Sequence, residues 1–288
     1  MTHGGEGMTG RDAPGAAPGG ARGSRIVNIF ANGDPASAKA ESCFKERLGA
    51  AGFDVPGEFS PEAELIVCIG GDGSLLNTLA RLGFPDIPII GVNTGHLGFF
   101  QELQPHETEE FISIYLDGGY KIQSLKAVSA EIIGSGGRSC VKGLNEIVIR
   151  GAYSHVASLN IYIGDSFIET FRGDGIAVAT PAGSTAYNYA LGGSIVDPRL
   201  DLLQVTPIAP INNSSYRSFT SGILLPPHMS VNIFPEYTKN SDILIAADGI
   251  EEMYSSVAHI HVAFSESTVQ LLRLPNYDFW NKVKTKLL

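Results

Sequence analysis

The chain has 288 residues, of which 30 are acidic and 20 are basic, so its formal net charge is −10. This excess of negative charge argues against a basic surface for nucleic acid or anionic lipid. No apolar run approaches the roughly 18 residues of a membrane span. The three cysteines stand far apart without a CxxC spacing, which argues against a disulfide framework and a zinc cluster (Cys43, Cys68 and Cys140). We therefore expect a globular protein of the reducing cytoplasm, with about two domains.

The first 23 residues consist mostly of glycine, alanine, proline and polar residues. Such a segment cannot bury enough apolar surface to offset the conformational entropy that it would lose on ordering. It also lacks the apolar stretch of a secretory signal peptide. We therefore predict that residues 1–23 form a disordered tail.

Strand-type and helix-type segments then alternate up to about residue 123. Strands are predicted at residues 26–30, 65–69 and 87–92, and helices at residues 36–50 and 74–82. The apolar run of the second strand is continuous, as in strands that are buried on both faces. This order implies a parallel sheet with right-handed helical crossovers. We predict an α/β domain over residues 24–123.

The pattern changes after about residue 124 to short β-type runs, which glycine, proline, asparagine and aspartate separate. The runs cover residues 128–133, 146–150, 157–163, 176–179, 229–234, 243–246, 260–264 and 269–274. They predict a second, β-rich domain over residues 124–274. At the end of the chain, Trp280, Val283 and Leu287 share one face of a predicted helix. We expect this helix, within residues 275–288, to pack on the N-terminal domain.

One glycine-rich motif, Gly70-Gly71-Asp72-Gly73, lies between a predicted buried strand and a helix. Glycines let the backbone approach an anion closely, and the N–H groups at a helix start point at it. A carboxylate would repel a phosphate, so Asp72 suits a base or an orienting group for a hydroxyl that attacks phosphorus, or a partner of Mg²⁺. The alternative is a tight turn in which Asp72 is the helix N-cap.

Three further segments carry groups suited to nucleotide binding. Residues 93–100 follow the next predicted strand and should face the same crevice as the glycine-rich motif. Asn145 and Glu146 offer a donor and an acceptor for a ribose diol, although their spacing alone favours a solvated strand end. Residues 172–175 and 180–188 concentrate glycines, hydroxyl groups and an aromatic ring, as a nucleotide pocket or an irregular loop would.

The chain lacks the GxSxG elbow, a GxGxxG motif after a strand and the GxxxxGK[ST] loop, so hydrolase, Rossmann and P-loop interpretations lose their main support. Four segments instead resemble the NAD kinase family over roughly residues 26–288. They are GGDG, NTGHLGFF, LNE and GDGIAVATPAGSTAYNYALGGSI. The GGDG motif alone is less specific, because lipid kinases and phosphofructokinases share it.

The resemblance implies an N-terminal α/β domain, a C-terminal β domain and an active site between them, in a homodimer or homotetramer. It implies a phosphotransferase that moves the γ-phosphoryl group of ATP, with Mg²⁺, to the 2′-hydroxyl of the adenosine ribose of NAD, giving NADP. Polyphosphate is an alternative donor. A non-catalytic dinucleotide sensor and a GGDG kinase with another acceptor, such as a lipid, stay open as alternatives.

The resemblance also implies roles for individual residues. Asp72 matches the catalytic aspartate, and Gly70, Gly71 and Gly73 match the phosphate-binding backbone. The residues that match NAD contacts are Asp72, Gly73, Phe99, Asn145, Glu146, Asp174, Ala182, Thr185, Ala186, Tyr187 and Ala190. Asp174 is expected to reach the ligand across a subunit boundary, and the two alanines at 182 and 190 stand where relatives commonly carry hydroxyl groups. No metal site is expected from side chains alone, because Mg²⁺ would enter with ATP.

Overall fold

The computed structural model describes residues 25–95, 98–236 and 242–287. The predicted tail over residues 1–23 lies outside these ranges. The N-terminal elements are β1 (Arg25–Ala31), α1 (Pro35–Ala50), β2 (Phe53–Asp54), β3 (Leu65–Ile69), α2 (Asp72–Leu82), β4 (Ile89–Val92), β5 (Gln101–Leu103) and α3 (Thr108–Leu116). Strand β1 pairs in parallel with β2 and β3, and the parallel order continues through β4 to β5. The predicted α/β class is therefore confirmed.

Strand β3 shows why this sheet forms in the centre of the domain. All five of its residues are buried. Leu65, Val67 and Ile69 pack in the cluster with Phe44 of α1 and Phe111 of α3. The alternate side chains of the strand face the opposite cluster, which contains the leucines of α2. A strand that helices cover on both faces has a continuous apolar sequence, and this is why β3 can be predicted from the sequence.

The rest of the chain is β-rich, as predicted. Its strands are β6 (Lys121–Gly134), β7 (Gly137–Gly143), β8 (Glu146–Gly151), β9 (Ala157–Ile163), β10 (Ser166–Gly173), β11 (Gly175–Ala179), β12 (Leu203–Ile208), β13 (Ile223–Leu225), β14 (Val231–Pro235), β15 (Ile243–Ala247), β16 (Ile250–Tyr254) and β17 (Val257–Arg273). Its α-helices are α4 (Tyr187–Ala190) and α5 (Phe279–Lys286). Six strands form an antiparallel sheet in the order β13-β12-β11-β8-β15-β16. One apolar cluster packs this sheet against β9, β10, β14 and β17.

Strands β6 and β17 join the two parts of the molecule. They pair with each other along most of their length, and β17 also pairs in parallel with β4, where Leu271 lies opposite Ile89. One 11-stranded sheet therefore runs from the N-terminal strands to the hairpin of β9 and β10. The predicted boundary between residues 123 and 124 falls inside β6.

Helix α5 returns to the N-terminal part of the chain, as expected. The Lys282 ammonium donates to the carbonyl oxygen of Gln101 over 2.6 Å. The helix begins later than predicted, because the Asp278 side chain accepts the N–H of Asn281 and caps it there. Val283 is buried, but Trp280 is half exposed and donates its ring N–H to Asp197. Within the residues that the structure describes, no helix is long and apolar enough to cross a membrane.

Candidate active site

The glycine-rich motif lies at the carboxyl end of β3, where α2 begins. Gly70 has a φ of +145°, and a Cβ at this position would collide with the side chain of Ser74. The position therefore requires glycine. Gly71 is the N-cap of α2, and Gly73 is exposed in the first turn. Free N–H groups at the start of this helix suit a phosphate group.

Asp72 does not cap its own helix, so the alternative interpretation of this motif is wrong. Its Oδ2 atom accepts the backbone N–H of Phe99 over 2.8 Å, and Oδ1 accepts that of Phe100 over 3.0 Å. The carboxylate thus holds the segment after β4, and the expected meeting of the two loops is present. Each oxygen of a carboxylate has two lone pairs, so both atoms keep one for a further donor.

Gly98 makes this close approach possible. A Cβ at Gly98 would overlap with the Asp72 carboxylate and with the amide of Gln101. Gln101 is 1% exposed, and neither amide atom has a hydrogen-bond partner among the described residues. The half-buried ring of Phe99 lies 6.2 Å from the ring of Phe279 in α5. The sequence does not identify Gln101, because a single polar residue in a short strand carries no local signal.

Behind the same segment lies a buried group of three charged residues, which sequence reasoning missed. Glu102 accepts hydrogen bonds from Arg273 over 2.6 Å and from Lys282 over 3.0 Å. The three side chains are 3%, 6% and 13% exposed, respectively. The one available signal was Arg273 at the end of the apolar run of β17, where a cation needs a buried partner.

Asn145 and Glu146 lie at the turn between β7 and β8, and Asp248 holds this turn. The Asp248 carboxylate accepts the backbone N–H groups of Leu144, Asn145 and Glu146 over 2.6, 2.7 and 3.2 Å. Asp248 and Gly249 form the two-residue connection between β15 and β16, and both have positive φ angles. An Asp-Gly pair is typical of this turn, so its geometry could be predicted from the sequence, but its partner could not.

Burial raises the pKa of Glu146 to about 8, and the nearby Asp248 carboxylate contributes to the same shift. Burial also raises the pKa of Asp248 to about 6, against the three backbone N–H groups that lower it. Oε2 of Glu146 and Oδ1 of Asn145 are buried without a hydrogen-bond partner in the described part of the chain. Unpaired buried polar atoms are uncommon, and a bound ligand is one way to satisfy them.

The segment that follows β11 packs on this turn. The Thr180 hydroxyl donates to the carbonyl oxygen of Leu144 over 2.6 Å, and the Thr180 N–H donates to that of Asn145 over 2.9 Å. A Cβ at Gly183 would collide with the backbone of Asn145. Among the predicted NAD contacts in this segment, Thr185 and Ala186 are half-buried, Tyr187 and Ala190 are exposed, and Ala182 is buried in the cluster that contains the α2 leucines.

Asp174 lies apart from the other predicted residues. It precedes β11, whereas Ala179 at the other end of the strand pairs with Glu146. At about 3.4 Å per residue, the five steps from Asp174 to Ala179 span roughly 17 Å. Asp174 is exposed. Within one copy of the chain, Asp72 contacts the segment after β4, and Asn145 contacts the segment after β11. Asp174 lies far from Asn145 and Glu146, at the other end of β11.

Comparisons with known proteins agree with this architecture. The family models for the ATP-NAD kinase N-terminal and C-terminal domains match residues 41–120 and 144–274. An NAD kinase from Finegoldia magna is 35% identical over 270 residues, covering 92% of this chain and 98% of the relative. NAD kinase 1 of Oceanobacillus iheyensis is 32% identical over 262 residues, covering 89% and 96%.

Two solved structures share the fold. Yeast NADH kinase in complex with NADH has a TM-score of 0.80 at 21% identity, over 92% of this chain and 87% of that chain. An NAD kinase from Archaeoglobus fulgidus in complex with ATP has a TM-score of 0.71 at 23% identity, over 91% and 98%. The family models together match more than half of the chain, and a relative at 35% identity spans nearly all of it, so the chain belongs to the NAD kinase family.

Proposed function

We propose that the chain transfers the γ-phosphoryl group of ATP to the 2′-hydroxyl of the adenosine ribose of NAD, giving NADP and ADP. Membership of the NAD kinase family supports this activity. The observation that carries the assignment to this site is Asp72, whose two oxygens are each fixed by a backbone N–H at the carboxyl end of β3. A fixed carboxylate with free lone pairs is suited to a hydroxyl nucleophile.

In the transfer step, the 2′-oxygen forms a bond to the γ-phosphorus while the bond from that phosphorus to the β–γ bridging oxygen breaks. ADP leaves with the electrons of the broken bond, and the hydroxyl proton passes to Asp72. Phosphoryl transfer depends mainly on positioning and on stabilising charge. The N–H groups of Phe99 and Phe100 fix the carboxylate before the substrate arrives, so little reorganisation is needed when the proton moves.

The phosphates of ATP would lie on the backbone N–H groups of Gly71 and Gly73, at the start of α2. The N–H of Gly70 donates to the carbonyl oxygen of Val92 over 2.9 Å, so Gly70 would shape the turn and would not donate to the phosphates. No group of three His, Cys, Asp or Glu side chains in residues 25–95, 98–236 and 242–287 could hold a metal ion. Mg²⁺ characteristically binds through one or two carboxylates and the substrate phosphates, and Asp72 is the carboxylate that fits here. When bound with ATP, the ion would neutralise part of the phosphate charge.

The NAD side of the site would be formed by Asn145 and Glu146, whose unpaired oxygens suit the hydroxyl groups of a ribose. The half-buried Thr185 and Ala186, the exposed Tyr187 and the ring of Phe99 would line the base pockets. Ala182 and Ala190 complete the proposed set, although neither side chain offers a hydroxyl group to the ligand.

Asp174 fits the site only as a residue supplied by another copy of the chain, because it is exposed at the far end of β11. This position supports a homodimer or homotetramer. A cytoplasmic location belongs to the same proposal, since all three cysteines are free thiols.

The purified protein, incubated with NAD and Mg-ATP, tests this function. We expect equal amounts of NADP and ADP, measured by a coupled dehydrogenase assay and by chromatography. Parallel reactions with polyphosphate and with NADH define the donor and the acceptor. If NAD binds but no NADP forms, the protein is a dinucleotide sensor. If ADP forms only with a lipid acceptor such as diacylglycerol, the GGDG motif serves another kinase reaction.

A further inference from the structure

The C-terminal helix places a buried ammonium group directly behind the segment that holds Asp72. Lys282 Nζ lies 2.6 Å from the carbonyl oxygen of Gln101, 3.2 Å from that of Phe99 and 3.0 Å from Oε1 of Glu102. An ammonium group has three N–H donors, and these three acceptors account for all of them. Every acceptor belongs to residues 99–102, so all the hydrogen bonds that Lys282 donates go to this one segment.

The peptide group between Phe99 and Phe100 connects the lysine to the aspartate. Its carbonyl oxygen accepts from Lys282 over 3.2 Å, and its N–H donates to Asp72 over 3.0 Å. A cation on the oxygen polarises the amide and strengthens the hydrogen bond that its N–H donates. A single peptide group thus links a cation of the C-terminal helix to the proposed catalytic base.

A second positive charge lies on the same side of this segment as Lys282. Arg273 also lies on its carbonyl side, with Nη1 at 3.5 Å from the carbonyl oxygens of Phe99 and Phe100. The pKa of Lys282 is lowered overall, because burial and the Arg273 charge outweigh the carboxylates of Glu102 and Asp72, which raise it. Arg273 and Lys282 are both paired with the single carboxylate of Glu102 on the carbonyl side of the segment. This group therefore has an excess of one positive charge, and the negative charge of Asp72 lies on the N–H side of the segment.

We propose that Lys282 is a positioning residue for the reaction, which acts through the peptide group between Phe99 and Phe100 to hold the Asp72 carboxylate toward the acceptor hydroxyl. The inference rests on the proposed role of Asp72. Lys282 has no contact with NAD in this proposal, so it governs turnover and leaves NAD affinity nearly unchanged. A purely structural role, in which the lysine only anchors α5 beside the buried Val283, would change stability without changing turnover.

The test compares Lys282→Met, Lys282→Arg and Lys284→Met with the unaltered chain. Methionine keeps an unbranched, flexible side chain but removes the charge and the donors, whereas arginine keeps both. Lys284 is exposed on the same helix and has no hydrogen bond or ion pair among the described residues, so it is the matched control. For each protein, kcat and KM come from NADP formation, the NAD dissociation constant from calorimetry and stability from urea unfolding, with kinetics measured where every variant is folded.

Lys282→Met should lower kcat by about 10- to 100-fold, the range that small displacements of a reacting group produce. Its NAD dissociation constant should stay within about threefold, because Lys282 has no contact with NAD in this proposal. A tenfold change would correspond to a loss of about 1.4 kcal/mol of binding free energy. Lys282→Arg should recover most of the turnover, and Lys284→Met should match the unaltered chain. If Lys282→Met does not fold, Lys282→Gln, which keeps a donor without the charge, takes its place with the same expected loss.

The inference is overturned if the uncharged variant loses stability but keeps kcat within about twofold, or if arginine is no better than methionine. It is also overturned if NAD affinity falls in parallel with turnover. Asp72→Asn, measured beside these variants, separates this inference from the proposed function. Normal turnover in Asp72→Asn would overturn the proposed role of Asp72 as the base. Normal turnover in Lys282→Met, with turnover lost in Asp72→Asn, would overturn only the positioning role of Lys282.

Discussion

Binding of NAD should release a proton from Glu146. This carboxyl group is buried, its Oε2 atom has no partner among the described residues, and burial raises its pKa to about 8. In the free protein at neutral pH the group therefore carries a proton. A ribose hydroxyl that donates to Glu146 favours the carboxylate, because a hydrogen bond to the charged form lowers the pKa.

The expected number of protons follows from the two pKa values. A group with a pKa of about 8 is about nine-tenths protonated at pH 7, half protonated at pH 8 and about one-tenth protonated at pH 9. If binding restores the ordinary value of about 4.3, almost none of the bound form is protonated at any of these pH values. The release is then about 0.9, 0.5 and 0.1 protons per site in that order.

Titration calorimetry measures this release directly. The binding heat of NAD is recorded at each pH in two buffers with different ionisation enthalpies, such as phosphate and Tris, and the difference gives the number of protons released. Glu146→Gln is the matched control, because the amide has nearly the same shape and does not titrate. The variant should show no buffer dependence.

Equal binding heats in the two buffers at pH 7 would refute this reasoning, since they would mean that Glu146 keeps its proton or never had one. A buffer dependence that persists in Glu146→Gln would assign the released proton to another group. A proton release that grows from pH 7 to pH 9 would contradict the calculation, which requires the pKa of Glu146 to be about 8 in the free protein and lower in the NAD complex.

Three further predictions concern stability. Because the folded pKa of Glu146 lies above its unfolded value, the free energy of unfolding should fall as pH rises from about 4 to about 8, by at most about 1.4 kcal/mol for each pH unit. Urea unfolding of Glu146→Gln should show no such loss between pH 6 and pH 8, whereas below pH 6 the raised pKa of Asp248 makes the stability of both proteins fall as pH rises. Parallel pH profiles between pH 6 and pH 8 would contradict this account. Asp248→Ala leaves three backbone N–H groups without their acceptor, so it should cost at least about 1–3 kcal/mol, and more than Asp248→Asn. Equal unfolding midpoints for these two variants would show that the carboxylate does not hold the turn. Ala182→Thr adds volume inside a packed cluster and should cost about 1–3 kcal/mol. Unchanged stability would show that the side chain at position 182 does not pack inside this cluster, and the KM for NAD, measured separately, tests the proposed contact of Ala182 with NAD.

The elements that the sequence predicts well are those with a local cause. The run at residues 65–69 is apolar because both faces of β3 are covered, and Gly83 ends α2 in the left-handed conformation. The sequence predicts two strands in place of β17, because Ser265, Glu266 and Ser267 interrupt its apolar pattern. In the structure the pairing register shifts between Phe264 and Thr268, so one strand continues through the polar stretch.

The candidate site divides in the same way. Asp72, Asn145 and Glu146 stand out in the sequence because glycines or strand ends surround them. Asp248 and Lys282 do not, because each acts on a segment more than 100 residues away along the chain. A charged residue in a hairpin turn or on a terminal helix has the same local pattern whether it is solvated or holds a distant loop. Only the folded structure distinguishes the two cases.

The most direct test of the central claim is the turnover of Asp72→Asn with NAD and Mg-ATP. Asparagine cannot take the hydroxyl proton at neutral pH, and general base catalysis is worth about 10²–10⁴-fold. Its amide nitrogen would also face one of the two N–H groups that the carboxylate accepts. We predict a fall in kcat of at least this factor, while NAD binding measured by calorimetry stays within several-fold. Near-normal turnover in a folded Asp72→Asn variant would contradict the account.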